Sequence, residues 1–282
     1  MSSADVPRNA CDCHAHVFGP FERFPLAADR LYTPPLATRF DHRAMLDAAG
    51  FSRGILVHAG ANGWDHAVLL DALHSDPTRL RGIAVPPTSI SDKELADLHA
   101  AGVRGMRFTH IIGRRGKRSS GTLDLDDLKA FTPRLQALGW HAQLWANCEV
   151  IAANASWLST LGVPLVLDHL SVVDVTRGVG SADFQSVLQL VRTGLAWVKL
   201  TAFRNSRSGD AHYTDVRPFH DALLATNSGQ LLWGSDWPFL GMTGDNRPTV
   251  AHVLDVLCEW VQDAEVRQQI LSINPARLYG FS

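Results

Sequence analysis

The chain has 282 residues, 46% of them hydrophobic, and 26 basic against 28 acidic side chains leave a net charge of −2. That is apolar material for one large α/β domain or two small ones, and a charge so near zero gives no global attraction to nucleic acid or to an anionic membrane. No apolar run approaches the roughly 18 residues of a transmembrane helix, and residues 1–9 lack the apolar core of a signal peptide. Four cysteines (Cys11, Cys13, Cys148, Cys258) without the spacing of a disulfide framework point to a reducing, cytoplasmic setting.

In chain order, Ala10 to Val17 reads as a first strand, on which Asp12, His14 and His16 share one face and Cys11 and Cys13 the other. A long Pro-rich loop follows, Phe18 to Phe40, carrying Tyr32. Connections of that length are usually functional or disordered. Asp41 reads as the N-cap of a helix that Gly50 stops. The pattern then alternates. Strands are expected at 54–58, 80–85, 103–108, 141–144, 164–168, 196–200 and 230–234. Helices are expected at 66–75, 92–101 (capped by Asp92), 125–138, 150–161, 184–193, 217–225, 249–261 and 264–273. The strands are short apolar runs, as parallel strands covered on both faces should be. Eight β/α units in this length predict a single-domain (β/α)8 TIM barrel over residues 1–282. No Gly-x-Gly-x-x-Gly follows the first strand, which argues against a dinucleotide-binding open sheet.

Barrel active sites lie at the C-terminal ends of the strands. There the chain places His14 and His16 (first strand), Arg107 (fourth), Asp168-His169 (sixth), Lys199 with Arg204 and Arg207 beyond it (seventh), and Gly234-Ser235-Asp236 (eighth). His14-x-His16 alone is weak, since 13 histidines yield about 0.6 such triplets by chance. Each of the others also has a plainer explanation: Asp236 as a turn cap before Pro238, His169 as a core histidine, Arg107 as the partner of a barrel carboxylate. Three histidines and an aspartate at one barrel mouth are much harder to leave to chance. Val103, Gly105 and Arg107 alternate, so Arg107 should point inward, where its fork suits a carboxylate. The basic run 113–118, with Arg114, follows the fourth strand and reads either as a solvated loop or as further anion-binding charge.

His14-x-His16, His169 and Asp236 together resemble the amidohydrolase superfamily. The ending Asn274-Pro275-Ala276-Arg277-Leu278-Tyr279-Gly280-Phe281 resembles the terminal signature of its amidohydrolase 2 branch. Within that branch, His14-Ala15-His16-Val17-Phe18-Gly19-Pro20, Phe24-Pro25 and Tyr32-Thr33-Pro34 resemble the 2-pyrone-4,6-dicarboxylate lactonases, whose relatives include sugar-lactone hydrolases and isomerases. The resemblance implies hydrolysis of a small anionic lactone. Asp236 would be the general base, His14, His16 and His169 would polarise the carbonyl, and Arg107, Arg204, Tyr32 and Arg114 would hold the substrate. It also implies that no metal is required. A single divalent ion such as zinc has candidate ligands in His14, His16 and Asp236, but Arg107 stands where other members carry a bridging carboxylate for a second ion. Gly60 and Ala61 depart from the hydroxyls expected beside a substrate carboxylate. A sugar-lactone isomerase and a metal-dependent non-oxidative decarboxylase of the same branch are the alternatives.

Overall fold

A computed structural model describes residues 6–111, 120–242, 244 and 247–281. One sheet of eight parallel strands runs in sequence order: β1 (Cys11–Ala15), β2 (Arg53–Val57), β3 (Leu80–Ala84), β4 (Val103–His110), β5 (His141–Ala146), β6 (Leu165–Leu167), β7 (Ala196–Leu200) and β8 (Leu231–Trp233). Helices α1 (Arg39–Ala49), α2 (Ala67–Ser75), α3 (Asp92–Ala100), α4 (Leu125–Leu138), α5 (Cys148–Leu158), α6 (Ala182–Arg192), α7 (Arg217–Asn227) and α8 (Val250–Trp260) follow the strands one by one. The barrel is closed just beyond β8, where Asp236 N–H donates to His14 O at 2.8 Å and His16 N–H to Trp237 O at 2.9 Å. The closure seam is therefore also where the first-strand histidines meet Asp236. Gly234 makes this approach possible, because a Cβ there would lie 2.6 Å from the Cβ of His14.

Two expected caps are corrected. Thr38, not Asp41, is the N-cap of α1, and Ser91, not Asp92, caps α3. In both, the hydroxyl accepts from the third helical N–H while Asp41 or Glu94 reaches back to the cap backbone. This capping box satisfies two orphan donors at once and is worth about 1 kcal/mol. The expected last helix, 264–273, divides into Ala264–Gln268, a π-helical stretch Gln269–Ile273, and a further helix Asn274–Tyr279.

The facing of β1 is also corrected. Its register shifts between Asp12 and Ala15, so the strand is bulged and the simple alternation fails. Cys11 and Cys13 pack inside the barrel with Ile55, Val57, Ile83 and Leu232, while Ala15 joins the outer core under the helices. Tyr279 and Phe281 from the chain end belong to the same inner cluster, which closes the barrel floor. Asp12 does not share the face of the two histidines. It is fully buried and accepts hydrogen bonds from Ser235 Oγ (2.5 Å), Ser235 N–H (2.8 Å) and His14 N–H (3.1 Å). Burial drives its carboxyl up to about 6 against the pull of the Ser235 and His14 donors. Asp12 thus ties the segment after β8 to β1 and fixes Asp236 against His14.

At the mouth the long first loop folds back on itself. Phe18 and Ala37 exchange backbone bonds of 2.7 and 3.1 Å, and Asp29 accepts from Ser120 N–H and Oγ at 2.8 and 2.6 Å in the loop after β4.

Candidate active site

Asp236 is the centre, 3% exposed and ringed by three imidazoles. Its Oδ1 lies 3.4 Å from His16 Nε2 and 3.6 Å from His14 Nε2, and its Oδ2 lies 3.9 Å from His169 Nε2. Arg204 Nε donates to the same Oδ2 at 2.5 Å, and Arg204 Nη1 to Leu240 O at 2.7 Å. Burial alone would raise the Asp236 carboxyl, but Arg204 first, then His169, His16 and His14, hold it well below the ordinary carboxylate range. Burial presses the His14 imidazole well below its usual value, and drives His169 down to about 4. Those two rings are neutral, so the guanidinium of Arg204 is the standing positive charge on Asp236. His16 Nδ1 lies 2.8 Å from Val57 O. A carbonyl only accepts, so Nδ1 carries the proton.

A second carboxylate stands behind the first. Asp168, the last residue before the β6 loop, is fully buried and accepts from Arg107 Nε at 2.9 Å and Gln143 Nε2 at 3.0 Å. Its Oδ1 lies 3.3 Å from His14 Nδ1 and 3.4 Å from Lys199 Nζ. Lys199 is itself fully buried, 2.7 Å from Gln143 Oε1 and 3.3 Å from His14 Nδ1. Burial would raise Asp168, but Lys199, His14 and Arg107 hold it well below the usual range.

His169 is presented by an unusual backbone. Residues His169, Leu170, Ser171 and Val172 all have φ between 47° and 57°, one turn of left-handed helix without a glycine. Such a turn costs roughly 1–2 kcal/mol per residue. It persists because its neighbours grip it: Asn205 Nδ2 donates to His169 O at 2.9 Å, Cys148 Sγ to Ser171 O at 3.3 Å, and Leu170 is wholly buried. Strain held this firmly is typical of functional segments.

The expected residues His14, His16, His169 and Asp236 are brought together. Arg107 and Arg204 also reach the centre, each ion-paired to a carboxylate of the site; the Arg107 guanidinium stacks over Trp145 with 4.8 Å to the ring centroid. Tyr32 is 37% exposed on the first loop. Arg114 and the run 113–118 lie outside the described residues. The sequence places Asp168 and Lys199 at the mouth but gives neither a role, and it gives no sign of Gln143. Position, at the end of β6 and on β7, was the only signal. Among the described residues, His14, His16 and Asp236, and separately His14, Asp168 and His169, bring one ligand atom each to within 4.8 Å of one another, so either set could hold a metal ion.

A carboxylate facing imidazoles at the mouth of a barrel is built to move protons beside a carbonyl, and fold and centre together define a barrel hydrolase. The model of the amidohydrolase family matches residues 11–281, and the chain belongs to that family. It is 35% identical over 277 residues to a 4-sulfomuconolactone hydrolase of Rhizobium radiobacter, covering 98% of this chain and 91% of that one. It is 34% identical over 283 residues to a 2-pyrone-4,6-dicarboxylate hydrolase of Comamonas testosteroni, covering 97% and 91%. A crystal structure from Pseudomonas putida, described as a candidate 2-pyrone-4,6-dicarboxylic acid hydrolase, superposes with a TM-score of 0.82 at 28% identity, covering 98% of this chain and 99% of that one.

Proposed function

We propose that this barrel, acting as a single domain over residues 1–282, hydrolyses the ring ester of a small lactone bearing at least one carboxylate, of the 2-pyrone-4,6-dicarboxylate kind. The observation that carries the reading is Asp236, ionised and faced by His14, His16 and His169 within 3.4–3.9 Å. Water attacks the lactone carbonyl carbon while Asp236 takes its proton. Imidazole N–H groups aimed at the carbonyl oxygen stabilise the oxyanion. The ring C–O bond then breaks, and Asp236 returns the proton to the leaving oxygen, so one water is added and two acid–base events cancel. Arg107 and Arg204 give the mouth the charge that attracts an anionic ring, Tyr32 on the first loop is a further candidate contact, and Arg114 is a candidate by its charge alone.

The residues present fit a catalytic metal poorly. Asp236 Oδ2 is already held by Arg204, and in the second candidate set Asp168 is held by Arg107 and approached by Lys199. Cations at both carboxylates oppose an ion, so the reading requires none. Four free cysteines, three of them buried, support a reducing cytoplasmic setting. No helix among the described residues is long and apolar enough to cross a membrane. The test is a pH-indicator screen of lactones carrying none to three carboxylates. Acid release with ring opening is expected. A rearranged lactone without net acid would mean an isomerase, and carbon dioxide release a decarboxylase.

A further inference from the structure

His14 Nδ1 has two neighbours at the same 3.3 Å, and they demand opposite things of it. Lys199 Nζ can only donate, so a bond from it needs a bare Nδ1 and leaves the ring proton on Nε2. Asp168 Oδ1 can only accept, so a bond to it needs Nδ1–H and leaves Nε2 bare. The geometry separates them. The Lys199 contact has hydrogen-bond geometry, whereas Asp168 Oδ1, an ion-pair neighbour of His14 at 3.3 Å and of Lys199 at 3.4 Å, lies outside that geometry at His14.

Lys199 is itself fixed from the other side. Gln143 Nε2 donates to Asp168 Oδ2 at 3.0 Å, which orients the amide so that its Oε1 faces Lys199 at 2.7 Å. With Gln143 Oε1 at 2.7 Å and Asp168 Oδ1 at 3.4 Å as its other neighbours, Lys199 is placed as the ammonium, which has N–H groups and no lone pair to offer His14. At the far side of the ring, His14 Nε2 is buried, has no partner, and lies 3.6 Å from Asp236 Oδ1. His16 donates its Nδ1–H to Val57 O at 2.8 Å.

We propose that Lys199 is a positioning residue that holds His14 as its Nε2–H tautomer, and so makes the centre one that donates a hydrogen bond to the lactone carbonyl rather than one that ligates a metal. An ion at His14, His16 and Asp236 needs a lone pair on His14 Nε2. The bond that arms His14 as a donor therefore closes it as a ligand. The catalytic meaning of the tautomer rests on the lactone-hydrolase reading; the tautomer itself does not.

The test uses the full chain labelled with 15N-histidine. Long-range 1H–15N spectra, with the His14 signal assigned by its loss in His14→Asn, report which ring nitrogen carries the proton. In the wild type, Nε2–H is expected; Nδ1–H overturns the proposal outright, even if no variant can be made. In Lys199→Met, Asp168 becomes the remaining partner. The His14 proton should move to Nδ1, kcat should fall about 10–100-fold with KM little changed, and cobalt affinity by equilibrium dialysis should rise by a similar factor. A Lys199→Met protein that loses kcat but keeps both the tautomer and the wild-type cobalt affinity makes Lys199 merely structural and refutes the proposal. A wild type that shows Nε2–H but opens no lactone supports the tautomer assignment while the functional reading fails.

Discussion

Asp236→Asn is the most direct perturbation of the proposed chemistry. The amide keeps the shape of the carboxylate and removes only its charge and its capacity to take a proton. Losing a general base typically slows a reaction about 10²–10⁴-fold, and a middle value of 10³ is ~4 kcal/mol of transition-state stabilisation. Arg204 loses its anion, but its side chain keeps 23% of its surface in water. Arg204 also keeps its bond from Nη1 to Leu240 O, and the amide oxygen can still accept from its Nε, so the variant should fold. Because Arg107 is bonded to Asp168 rather than Asp236, one of the two charges for the substrate carboxylate is left in place. KM should therefore change by less than about tenfold, the equivalent of one 1.4 kcal/mol step. The assay is the indicator titration on the best lactone of the screen, with the fold checked by thermal melting. A variant that folds and keeps kcat within about threefold of the wild type shows that Asp236 is not the base and undoes the mechanism.

Replacing Arg107 or Arg204 with Met should raise KM for a carboxylated lactone by the loss of a charge-assisted bond, about 1.5–3 kcal/mol, and leave KM for a neutral lactone little changed, while Arg204→Met should also lower kcat on both because Arg204 is paired with Asp236; equal KM rises on both substrates make these arginines structural. Exhaustive chelation, verified by elemental analysis, should leave hydrolysis intact, whereas activity that disappears and returns with added zinc or manganese replaces the metal-free mechanism. His42 is buried and burial lowers it from 6.5 to about 3, so the unfolded chain takes up its proton first. Its contribution to stability is complete above about pH 6.5 and is lost as the pH falls towards about 3. His42→Leu should flatten the acid fall in urea-unfolding free energy by about one proton, ~1.4 kcal/mol per pH unit, and an unchanged slope contradicts a neutral buried His42.

The amino-acid sequence by itself determined the alternation of short apolar strands with capped helices, and with it the barrel. Those signals are local: apolar period, N-cap side chains, and glycines such as Gly50 and Gly139 that end helices in the left-handed region. It also marked His14, His16, His169 and Asp236, because a barrel sends the C-terminal ends of its strands to one mouth. Only the tertiary structure decided how those groups are tuned. The bulge in β1 reversed the facing of Cys11 and Cys13, and a one-residue shift leaves no trace in an alternating pattern. The left-handed turn at His169 is imposed from Asn205 and Cys148, since nothing in its own residues favours it. The meeting of Asp168 with Arg107, Gln143, Lys199 and His14 joins β1, β4, β5, β7 and the end of β6. Which proton His14 carries depends on that meeting, because a buried imidazole takes its tautomer from whichever neighbour the closed barrel sets against it.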